Sequence, residues 1–107
     1  MTHDKSKGLT VVQNQLKELD AISRQTMEDL NTVAGTERVA KWKAKTVALL
    51  TEAAGQTEGQ KFAAIRPGPS FTNDLVEEFS DLIDCYRAPL TALAKQLAQA
   101  APPSSGS

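Results

Sequence analysis

A single cysteine, Cys85, excludes an internal disulfide and points to a reducing, cytoplasmic setting. The single histidine, His3, lies in the polar stretch Met1–Lys7, away from any apolar periodicity. A Ser–His or Cys–His pair therefore has no scaffold to hold it. One cysteine and one histidine are too few ligands for zinc. There is no Gly-x-Gly-x-x-Gly and no Walker loop to cradle phosphates. No run of about 18 apolar residues could cross a membrane. Met1–Lys7 also lacks the apolar centre of a signal peptide. Charge is nearly balanced, with 12 Lys and Arg against 13 Asp and Glu. Nothing global draws the chain to nucleic acid or an anionic surface. These absences leave no catalytic constellation, no cofactor site and no metal site to expect.

What the chain does have is helical periodicity. Leu9, Val12, Leu16, Leu19, Ser23, Thr26, Leu30 and Val33 recur at steps of three and four, the spacing of one face of a long helix. Ala34-Gly35 reads as its end, with Gly35 in the left-handed region. Thr36 reads as the cap of a second helix, carrying Val39, Trp42, Thr46, Leu49 and Ala53 and stopping at Gly55. So short a link makes the pair an antiparallel hairpin. Thr57 and Gln60 have capping-box spacing for a short third helix, about Glu58 to Ile65, weakened by Gly59.

Arg66-Pro67-Gly68-Pro69-Ser70 cannot be regular structure and reads as a stiff connector. A last helix, capped by Thr72 or Asn73, carries Val76, Phe79, Ile83, Tyr86, Leu90, Leu93 and Leu97. Its apolar phase survives Pro89, which predicts one kinked helix rather than two. The expected fold is all-α: an antiparallel bundle of three long helices and one short one over residues 8–101. Residues 1–7 are expected as a disordered leader and 102–107 as a flexible tail or linker.

Few residues invite a functional reading. Leu9, Val12, Leu16 and Leu19 form a heptad seam that a partner helix or a second copy could use, giving a homodimer in the simplest case. Arg38, Lys41 and Lys45 make a basic stripe on the second helix, with Lys43 close by; Arg66 adds a charge in the connector. A phosphate-bearing ligand or nucleic acid could meet that stripe. The acids Asp74, Glu77, Glu78, Asp81 and Asp84 of the last helix are placed to compensate it. Trp42 at a heptad position is expected in the core. Cys85, beside Tyr86, is expected to be a partly buried structural thiol.

The stretch from Glu37 to Leu97, through Trp42, Leu49-Leu50, Gly55, Phe62, Phe79 and Tyr86, resembles the small N-terminal helical adaptor domains of bacterial anti-phage defence proteins. The resemblance covers a little over half of the chain. It implies an accessory module, joined through its tail to a sensor or effector, without activity of its own. The function expected is a non-enzymatic protein-interaction or self-association module. The alternative is a small regulator that binds nucleic acid or a phosphate-bearing ligand through the basic stripe and Arg66.

Overall fold

The computed structural model describes residues 5–68 and 74–100. Four helices follow one another: α1 Lys5–Asp29, α2 Thr32–Ala54, α3 Gln56–Ala63 and α4 Leu75–Ala100. Three are long, one is short, and no strand occurs among the described residues. His3, Pro69, Ser70, the cap candidates Thr72 and Asn73, and the tail 102–107 lie outside them.

α1 packs along both α2 and α4, α3 folds back on α2, and α2 touches α4 only briefly. Gly35 lies against Thr26, and Lys45 meets Glu18, so α2 runs antiparallel to α1. Gly8 lies against Leu97, and Arg87 meets Asp20, so α4 does the same. α2 and α4 therefore run parallel, with both N-termini at one end of the bundle.

The core is drawn from all four helices: Val12 and Leu19; Val39, Trp42 and Leu50; Phe62; Phe79, Ile83, Tyr86 and Leu90. Each large apolar side chain so buried contributes roughly 1.5–3 kcal/mol. Trp42 is the point where the four helices meet. Its ring stands edge-on to Phe62 at 5.7 Å and to Tyr86 at 5.9 Å. Its indole N–H donates to the Gln15 carbonyl at 3.0 Å. Gln15 is itself buried; its side-chain oxygen accepts from the Thr46 hydroxyl at 2.8 Å, and its amide nitrogen donates to Glu18 at 3.3 Å. These pairings matter because a buried polar atom without a partner costs about 1–3 kcal/mol.

Helix boundaries differ from the sequence expectation at several points. α1 starts at Lys5, taking part of the expected leader into the helix, and ends at Asp29. Leu30 turns the chain with φ 55°, and α2 begins at Thr32. Two side-chain caps decide this: Asp29 Oδ1 accepts the Asn31 N–H at 2.9 Å, and Asn31 Oδ1 accepts the Ala34 N–H at 3.1 Å. Gly35 is thus no helix end, and Thr36 is no cap; its hydroxyl donates to the Thr32 carbonyl within α2. A Cβ on Gly35 would come 2.5 Å from Thr26 Oγ1 and 2.9 Å from Phe79 Cε1. This glycine serves close helix packing, not a turn.

Gly55, at φ 106°, closes α2 and opens α3 at once, so α3 starts at Gln56 without a capping box from Thr57. Gly59 is required where it sits, since a Cβ there would meet Thr51 Oγ1 at 1.9 Å. α4 is capped by Asp74, whose Oδ1 accepts the Val76 N–H at 2.9 Å and the Glu77 N–H at 3.3 Å. It then runs unbroken through Pro89 to Ala100.

Two stability predictions follow from this packing. Gly35→Ala should destabilise the fold by about 1–3 kcal/mol, the usual cost of overpacking, with part of the loss returned by Thr26→Ala in the same chain. Gly68→Ala, which meets nothing within 4 Å, should be near neutral. Urea unfolding separates these outcomes, and equal effects at the two glycines would contradict the close approach of α2 to α1 and α4. Trp42→Ala should cost about 3–5 kcal/mol in the same assay, and a loss below about 1 kcal/mol would show that the ring cluster does not organise the core.

Candidate functional site

The seam expected on α1 is not an exposed surface. Val12 and Leu19 are wholly buried, and Leu16 packs against the core. Leu9 is half-buried. The cause is α4: because it continues past Pro89, Leu97 reaches Gly8 and the last helix covers the start of the first. α2 also starts earlier than expected and has 23 residues against 25 in α1, so little of α1 overhangs it.

The basic stripe is partly compensated, by α1 rather than by the acids of α4. Lys45 pairs with Glu18 at 2.8 Å, and Arg38 Nη1 lies 3.9 Å from Asp29 Oδ2. Lys43 turns inward. Its ammonium donates to the Ile65 carbonyl at 2.7 Å and lies 5.2 Å from the centre of the Tyr86 ring, tying α2 to the end of α3. Lys41 and Arg66 are exposed. Of the α4 acids, Asp84 pairs with Arg87 of its own helix at 3.3 Å, and the same guanidinium reaches Asp20 on α1.

Among the described residues, three large aliphatic side chains stand in solvent, and all are near the α1–α2 turn and the start of α4. Leu30 is 65% exposed, Val33 71% and Leu75 62%. Val33 and Leu75 border a groove of about 680 Å³ between the N-terminal halves of α2 and α4. α2 contributes Thr32, Val33, Thr36 and Glu37 to its walls; α4 contributes Leu75, Glu78, Phe79, Asp81 and Leu82. Pro67 and Gly68 border it from the connector.

The groove follows from the length of α3. Residues Lys43 and Thr51 of α2 face the α3 region, Lys43 through the Ile65 carbonyl and Thr51 through Gly59. About two and three turns further toward the start of α2, the same face carries Thr36 and Val33. On α4, Tyr86 meets Phe62 of α3, and the same face continues through Leu82 and Phe79 to Leu75. α3 has eight residues, or about 12 Å, beside a 23-residue α2 of about 34 Å. It fills only part of the fourth-helix position. The groove is the remainder.

Sequence reasoning missed this site because Val33 was placed on the inner stripe of α1. The signal was present in Asp29-Leu30-Asn31, where two side-chain caps flank one residue and restart the helix at Thr32. Glu78 and Asp81, expected to compensate the basic stripe, line the groove.

Among the described residues, no group of three or more His, Cys, Asp or Glu is arranged to hold a metal, and no helix is long and apolar enough to cross a membrane. Cys85 is half-buried and packs against the core. Burial pushes its thiol above the ordinary value; the nearby Lys43 charge draws it back down, and Asp84 raises it further. Folding thus holds the thiol proton more tightly than the unfolded chain does. Its contribution to stability is complete below the ordinary thiol range and is lost as pH rises through it toward the raised value. At neutral pH a disulfide reagent should therefore modify Cys85 several-fold more slowly in the native protein than in urea. Lys43→Met should slow the native reaction further, and a rate equal to that of the unfolded chain would contradict the burial.

No family model, no curated protein and no solved structure matches this chain.

Proposed function

We propose that this chain is a non-enzymatic protein-interaction module that docks a partner in the groove between α2 and α4. The observation that carries this reading is the clustering of exposed Val33 and Leu75 on an apolar channel floored by Phe79 and Leu82. Isolated exposed aliphatics need no explanation, but a contiguous apolar groove with a polar rim has the composition of a docking surface. The role is of the class implied by the resemblance to helical adaptor domains of anti-phage defence proteins. Of the residues that carry that resemblance, Trp42, Leu50, Phe62, Phe79 and Tyr86 lie in the core, so they bear on the scaffold. Docking rests on the groove.

The rival reading, a binder of nucleic acid or phosphate, has less support. Two of its four cations, Arg38 and Lys45, already face carboxylates. Self-association through the α1 seam would require the bundle to open, because Val12 and Leu19 have no free surface.

A photoreactive amino acid at position 33, irradiated in the cells that make the protein, tests the proposal. The expected product is a discrete protein adduct, absent when the probe is placed at exposed Lys17 on α1. A nuclease-sensitive adduct would favour the basic stripe, and no adduct at position 33 would remove the groove as the docking surface.

A further inference from the structure

The groove has a shape and a charge that together select its occupant. Its shape is a channel walled by two parallel helices and bordered by Pro67 and Gly68 of the connector that follows α3. On α4 it runs from Leu75 to Leu82, eight residues or about 12 Å. That length matches two to three turns of helix. An apolar stripe at i, i+3 or i+4 and i+7 is what such a slot accepts.

Its charge is of one sign. Glu37, Glu78 and Asp81 line it, all three exposed, and no Lys, Arg or His is among its described lining residues. The N-termini of α2 and α4 lie at this end, each equivalent to about half a positive charge. Three full carboxylates outweigh them. The caps Asn31 and Asp74 already accept backbone N–H groups at these ends, which reduces their call on an external anion. A second copy of the chain fits poorly. A two-fold contact between like grooves sets Glu37, Glu78 and Asp81 against their own counterparts.

We propose that the groove takes a short basic amphipathic helix from a protein partner, seated in line with α3. Its aliphatic stripe lies against Val33, Leu75 and Leu82, and its Lys or Arg residues face Glu37, Glu78 and Asp81. This rests on the reading of the chain as an interaction module and adds the chemistry of the partner.

The probe is a synthetic helical peptide of about 14 residues, with leucines at i, i+4 and i+7 and lysines on either side of the stripe. One control replaces every lysine by glutamate. Another keeps the composition and scatters the leucines. Binding to the full chain is followed by fluorescence anisotropy, and the site is mapped by amide chemical shifts. The basic peptide should bind at least about tenfold more tightly than either control and should shift Val33, Leu75 and Leu82. Its affinity should fall several-fold as salt rises and the carboxylates are screened. In the exposed double variant Glu37→Lys/Asp81→Lys, which leaves the first turn of α4 unchanged, the preference should pass to the acidic peptide. Circular dichroism checks that this variant keeps its helices.

Failure of the basic peptide to bind, equal binding of the acidic peptide, or shifts confined to other faces would overturn the inference. So would concentration-dependent shifts at Val33 and Leu75 without peptide, which would make a second copy the occupant. A protein adduct at position 33 together with any of these results would leave the module reading intact and remove only the basic helix.

Discussion

Trp42 holds the structure together because its side chain engages every helix. It belongs to α2, donates to a carbonyl of α1, and stands edge-on to rings from α3 and α4. An indole in this position satisfies its only donor and presents its apolar faces to the core. The geometry fixes where α3 can sit: Phe62 must reach Trp42 and Tyr86, so the short helix lies over the C-terminal half of α2. With eight residues it cannot extend to the start of α2. The unfilled position beside Val33 and Leu75 follows from that anchor and from the length of α3.

A bundle built in this way divides its chemistry by face. The α1-facing side of α2 and α4 is closed, with Val12, Leu19, Leu50, Ile83 and Leu90 wholly or nearly wholly buried. Ion pairs such as Lys45 with Glu18 and Arg87 with Asp20 lie along the α1 seams, where exposed pairs contribute about 0–1 kcal/mol each. They take up cations that would otherwise form a basic surface. The opposite side, between α2 and α4, has α3 over part of its length and an acid-rimmed channel over the rest.

Much of this was legible in the chain. The apolar series from Val76 to Leu97 is complete, and the structure keeps it as one helix through Pro89. Trp42, Phe62 and Tyr86 could be assigned to the core from their spacing. Gly35 could not be read correctly from local rules, because its value lies in a contact with Thr26 and Phe79 across two helix interfaces. The same holds for Gly59 and Thr51. Local propensity marks both glycines as weak points, whereas tertiary packing makes them necessary. The groove was hidden for a related reason. It depends on how far α3 reaches along α2, which no periodicity within either helix encodes.

The central claim is that Val33 and Leu75 are open in the free protein and closed by a docked helix. Paramagnetic broadening of methyl signals by a soluble nitroxide measures this directly. In dilute protein alone, the methyls of Leu30, Val33 and Leu75 should broaden strongly, while those of Val12, Leu19, Leu50 and Leu90 stay sharp. With a basic amphipathic helix bound, Val33 and Leu75 should become protected and Leu30, which is not among the groove-lining residues, should change little. Protection of Val33 and Leu75 in the free, dilute protein, or their unchanged broadening in the complex, would contradict the claim.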